Sequence, residues 1–103
     1  MSDPGATIVV LATFRQGYEA HVAEYSARVR ASLDDRGARV VRRQRVEAAL
    51  YGGGTASLVM VIDVPSRAAA ERMFFEPAYR DIIPLRERVF RDFQMYLAAP
   101  GEI

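Results

Sequence analysis

Two stretches of this chain are apolar on both faces, "TIVVLATF" at residues 7–14 and "ASLVMVIDV" at residues 56–64. Such β-branched runs read as central strands, because a half-wet strand would alternate apolar with polar residues. With 103 residues in all, few elements remain to cover the sheet those strands build. Helices on one face leave the other face apolar and in need of a cover.

The intervening sequence supplies the remaining elements. After the turn Arg15-Gln16-Gly17, residues 18–36 read as a helix. Its stripe is Tyr18, Val22, Tyr25, Val29 and Leu33, at spacings of three and four. Gly37 follows the last periodic residue and suits a left-handed cap. Residues 39–50, "RVVRRQRVEAAL", alternate imperfectly and read as an edge strand. "YGGGT", residues 51–55, is a flexible turn; it lacks the Lys-Ser/Thr and the following helix that a phosphate loop needs. Ser66 is positioned to cap a second helix whose buried side is Ala69, Ala70, Met73 and Phe74.

Pro77 ends that helix and opens "PAYRDIIPLRERV", residues 77–89, which reads as an ordered bridge. It holds one short helical turn, then a second with Pro84 at its first position. Residues 92–98, "DFQMYLA", form the last strand. Phe93, Met95 and Leu97 share one face, and Gln94, Tyr96 and Ala98 share the other.

The order β-α-β-β-α-β is the split βαβ, ferredoxin-like pattern of the α+β class. It predicts one domain over residues 1–103, a four-stranded antiparallel sheet with both helices on one face, and the first and third strands central. The uncovered face predicts a homodimer packed sheet to sheet. A core this small gains from such a partner.

Composition narrows the function. The net charge is +1, which gives no strong field for nucleic acid or an anionic membrane. Without cysteine there is no disulfide, thiol nucleophile or thiolate metal site. The first residues are acidic and polar, with no signal-peptide pattern, and no apolar run approaches a membrane span. A cytoplasmic protein is expected.

Candidate chemistry rests on few side chains. Asp63 closes an apolar strand row with Val59 and Val61. Such an acid either pairs with an arginine such as Arg43 or Arg86, or serves as a proton-transfer or ligand-binding group. His21, the lone histidine, falls on the flank of the first helix's stripe. Glu24 beside it is a second ligand without a third, so no metal site is expected. Alternation places Arg39, Arg43 and Arg45 on one face and Arg42 on the other. Arg43 is suited to an anionic group. Tyr79, Arg86 and Tyr96 add polar groups for orienting a phenol or enol. The expected cavity is walled by Phe14, Met60, Phe74, Phe75 and Phe90.

The stretch "VIDVPSRAAAERMFFEPAYRDIIPLR" resembles an uncharacterised small bacterial family of the dimeric α+β barrel superfamily. Asp63, Pro65, Ser66, Pro77, Tyr79, Pro84, Leu85 and Arg86 carry the resemblance in order and spacing. "RGARVVRR", with Arg43, resembles the family's entry to its second strand. The superfamily's members imply small, often aromatic ligands and chemistry such as cofactor-independent oxidation, cyclisation and isomerisation. On that footing the chain reads as a small-molecule enzyme without a cofactor. Its base would be Asp63 or His21, and Arg43, Tyr79, Arg86 and Tyr96 would hold the substrate. The alternative is a dimeric module that binds a metabolite without turning it over.

Overall fold

The computed structural model describes residues 5–73 and 75–99. Strand β1 is Ala6–Phe14, and a 3-10 turn, Tyr18–Ala20, leads into helix α1, Val22–Asp34. Strands β2, Arg39–Arg45, and β3, Leu58–Val64, follow. Three short helices come next, α2 (Arg67–Met73), α3 (Pro77–Arg80) and α4 (Ile83–Val89), before strand β4, Phe90–Ala98. The sheet order is β2-β3-β1-β4, with every neighbouring pair antiparallel. This is the ferredoxin-like α+β arrangement, with the two apolar strands in the centre.

Period two decides what each face carries. Ile8, Val10 and Ala12 of β1 and Leu58, Met60, Ile62 and Val64 of β3 are buried under the helices. Val9, Leu11, Val59 and Val61 alternate with them on the open face and are half-buried. Tyr25 and Leu33 of α1, Ala70 and Met73 of α2, and Leu85 and Val89 of α4 complete the core. Fully burying a side chain such as Ile8 or Val10 contributes about 1.5–3 kcal/mol.

The helix ends follow from local chemistry. Gly37 has φ 67°, a conformation that costs a residue with a Cβ. There the Ala38 N–H donates to Leu33 O and the Gly37 N–H to Asp34 O, both signatures of a Schellman stop. Ser66 Oγ accepts the Ala69 N–H at 3.0 Å and so caps α2. Arg36 donates to Ser32 O at 2.7 Å and is ion-paired with Glu76, tying the end of α1 to the start of α3.

Several boundaries differ from expectation. The first helix begins as a 3-10 turn and becomes α-helical only at Val22. Strand β2 stops at Arg45, since Val46 makes only one further backbone bond to Ser57 before the chain leaves the sheet. Pro77 starts α3 rather than merely stopping its predecessor. Pro84 occupies the second position of α4, after Ile83. Phe74 lies outside the described residues.

Two bulges change the faces of the strands. Opposite β3, Val40 pairs with Ile62 but Arg42 pairs with Val61, so Val41 is an extra residue. Arg39 and Arg42 therefore face the open side, while Arg43 and Arg45, opposite Met60 and Leu58, face the helices. The expected grouping of Arg39 with Arg43 and Arg45 is corrected by this one insertion, which reverses the alternation beyond it. In β4, Thr13 pairs with Asp92 and Phe14 with Phe90, so Arg91 is the extra residue. Phe90 and Phe93, three positions apart, thereby reach the same face.

Candidate functional site

The helix α1 stripe lies over the β2–β3 side of the sheet without filling the space beneath it. A cavity of about 370 Å³ remains there, open to solvent at one side. Val29, Leu33, Met60, Phe90 and Phe93 make its apolar walls. Arg30 and Asp34 from α1 and Arg43 from β2, all exposed, stand at its mouth. Tyr25 forms its inner end and also lines a recess of about 30 Å³ that reaches Tyr79, Ile82 and Met95.

Aromatic packing sets the inner wall. Phe90 meets Tyr25 edge-on at 5.4 Å between centroids and Phe93 at 5.2 Å. Phe14 stacks on Phe90 at 5.5 Å and on Tyr18 at 4.1 Å. The three contacts of Phe90 fall in the favourable range for ring pairs, and the Phe14–Tyr18 stack is closer than that range. Both bulges serve this site, since they turn Phe90 and Arg43 toward the cavity.

A polar cluster lies behind the inner end, reached through the recess that Tyr25 and Tyr79 share; Arg86 lines neither that recess nor the cavity. Arg86 of α4 donates from Nη1 to the Tyr79 hydroxyl at 3.0 Å. Its guanidinium carbon also lies 4.8 Å from the centroid of the Phe93 ring, a cation–π contact. The Tyr79 hydroxyl reaches Met95 Sδ at 3.8 Å. Tyr25 is 7% exposed. Burial pushes its phenol well above the ordinary value; Tyr79 adds to the rise, and the charges of Arg86 and Arg43 oppose it. Burial likewise raises Tyr79, against the charge and hydrogen bond of Arg86. Both phenols therefore stay neutral near pH 7 and remain donors.

The other residues singled out in the sequence lie elsewhere. Asp63 is exposed on the open face, between Thr7 of β1 and Arg39 of β2. Arg43 and Arg86 lie on the helix side, so the expected ion pair of Asp63 with either is corrected. Among the described residues Arg86 takes Tyr79 and Phe93 as partners instead. His21 is the N-cap residue of α1, half-buried, with no side-chain capping bond, and it does not line the cavity. Tyr96 is on the open face, where its hydroxyl donates to Gln94 Oε1 at 3.2 Å. It borders a separate apolar hollow of about 410 Å³ beside α2, together with Phe75 and Leu97. Of the expected walls, Met60 and Phe90 line the main cavity, whereas Phe14 and Phe75 do not.

Reading the sequence alone missed Tyr25, Arg30, Asp34 and Phe93 as cavity residues. The spacing of Ser26, Arg30 and Asp34, four apart beside the Tyr25 stripe, is the signal that marks one flank of α1. Among the described residues no three His, Asp or Glu side chains cluster so as to hold a metal ion. No helix there is long and apolar enough to cross a membrane.

Solved structures share this fold. A protein of unknown function from Rhodopseudomonas palustris superposes with a TM-score of 0.84 at 20% identity, covering 98% of this chain and 85% of that one. SnoaB from Streptomyces nogalater, a cofactor-independent oxygenase, gives 0.68 at 16% identity, covering 96% and 95%. A dimeric ferredoxin-like protein of unknown function from Bacteroides fragilis gives 0.62 at 8% identity, covering 95% and 98%. No curated protein matches in sequence. Residues 7–98 match the model of a family described as a domain of unknown function, and the chain belongs to that family, DUF1330.

Proposed function

We propose that the chain binds a small planar aromatic or enol-type metabolite between α1 and the sheet, and stabilises an oxygen anion on it. The observation that carries this reading is Tyr25, buried at the inner end of the cavity, with Tyr79 across the recess behind it and Arg86 donating to the Tyr79 hydroxyl at 3.0 Å. A fixed neutral donor backed by positive charge in a water-poor site lowers the energy of an oxyanion. The cavity, at about 370 Å³, falls at the lower end of the ligand-pocket range of roughly 300–1,000 Å³. Asp63 and His21 stand outside it, so binding ranks before turnover.

Turnover is the second reading, favoured by the fold shared with a cofactor-independent oxygenase. Such chemistry needs an enolate to be made and held. Tyr25 supplies the holding here; proton transfer or cyclisation would follow on the bound molecule, and oxidation would do so with dioxygen as the electron acceptor. This step is an analogy of fold. We propose further that the chain is a homodimer, its open face closed by a second copy over Val9, Leu11, Val59 and Val61. A dimeric neighbour of the same fold supports the homodimer.

The test uses 2-naphthol, a planar phenol whose ionised form absorbs at a different wavelength from the neutral form. Saturable binding is expected, with bound probe ionising at lower pH than free probe. Tyr25→Phe should weaken binding by about 2–10-fold, the equivalent of one hydrogen bond. Absence of saturable binding, or an unchanged affinity and ionisation in the variant, would refute the reading.

A further inference from the structure

The mouth of the cavity carries charge that its inner end does not require. Ser26, Arg30 and Asp34 form a single row along the flank of α1. Val40 and Arg43 face that row from β2, the latter turned there by the extra residue at Val41. Asp34 is the lone carboxylate among the lining residues. It makes no ion pair with Arg30, one turn away, among the described residues. Neither Arg30 nor Arg43 has a hydrogen-bonded or ion-paired partner among those residues. Arg39 also borders the cavity, but its pairing with Asp63 assigns its side chain to the open face.

An unpaired arginine on a surface is ordinary. Here two of them, from different elements, stand across the opening of an apolar, aromatic-walled chamber. We infer that the ligand is an aromatic or enol-bearing carboxylic acid, its ring among Val29, Met60, Phe90 and Phe93 and its carboxylate between Arg30 and Arg43. Guanidinium forks match the two oxygens of a carboxylate. Between the mouth and Tyr25 the walls offer the rest of the molecule only Ser26 as a polar partner, so the acid group belongs at the mouth and any enol or phenol oxygen at the inner end. The inference rests on the proposed binding role of the same cavity and adds the chemical class it selects.

The test compares 2-naphthoate with 2-naphthalenemethanol, the same ring without the charge, by calorimetric titration of the full chain at neutral pH. The expected result is a preference for the acid of about tenfold, the scale of a charge-assisted hydrogen bond. That preference should collapse in the Arg30→Gln/Arg43→Gln double variant. It should persist in Arg45→Gln, on the same strand face but outside the cavity. Equal binding of acid and alcohol by the wild type overturns the inference while leaving the cavity reading intact. If neither compound binds, both fall. A stronger preference for 2-naphthyl phosphate than for the carboxylate, lost in the same double variant, overturns the choice of carboxylate.

Discussion

Replacing Arg86 by methionine tests whether the 77–89 bridge is held to the sheet by this side chain. Methionine keeps the apolar stem and removes the guanidinium. One loss is the 3.0 Å bond to the Tyr79 hydroxyl, for which a charged donor contributes about 1.5–3 kcal/mol. The other is the contact over Phe93 at 4.8 Å, contributing about 0.5–2 kcal/mol where it is partly desolvated. Methionine's own packing on Phe93 offsets part of this, leaving a net loss of about 2–3 kcal/mol. For a domain of this size each kcal/mol moves Tm by about 4–8 °C, so a fall of roughly 8–24 °C is expected. Tyr79→Phe removes only the hydroxyl. A double-mutant cycle by urea unfolding should show coupling of about 1–2 kcal/mol between the two positions. A cost below about 0.5 kcal/mol for Arg86→Met, or coupling within error of zero, would refute the account.

Two further outcomes follow from burial. The phenols of Tyr25 and Tyr79 titrate higher in the folded chain than in the unfolded one. Stability should therefore be unaffected by their ionisation below about pH 10 and fall above it. Tyr25→Phe should make that fall shallower by about 1.4 kcal/mol per pH unit in denaturant titrations; an identical slope would contradict the burial of the phenol. On the open face, Val61→Lys puts a charge in the centre of the proposed two-fold contact. Sizing at micromolar concentration should show a dimer become a monomer with its far-ultraviolet circular dichroism retained. A monomeric wild type would end the dimer proposal.

The sequence was most informative where one pattern dominated. The two strands apolar on both faces announced their central places, and Gly37 and Ser66 announced the ends of their helices. Their signals are local, because cap geometry and strand period involve a handful of neighbouring residues. What escaped depends on pairing across the sheet. Nothing in "RVVRRQR" marks Val41 as the extra residue, since the bulge is defined by its partner strand and not by its own side chain. Arg43 was therefore grouped with Arg39, although it borders the cavity from the helix side. Arg86 was expected to seek a carboxylate, yet Asp63 faces the other side of the sheet and a phenol and a ring take its place. Tyr25 read as packing, and it does pack; that it also borders a cavity depends on Phe90 and Phe93 meeting beside it.

The extra residues in β2 and β4 separate two duties that the same strands perform. A strand has one side for whatever lies under the helices and one side for whatever meets the open sheet, and a bulge absorbs one residue without a partner. Deleting Val41 would leave Arg42 opposite Val61 and Arg43 opposite Met60, so Arg43 would keep its place at the cavity mouth. Pairing Val41 regularly with Val61 would instead carry Arg43 and Arg45 to the outer face and turn Arg42 toward the helices. In this fold, strand register is thus a selector in its own right: the same arginines serve the chamber or the outer face according to whether one residue is left unpaired.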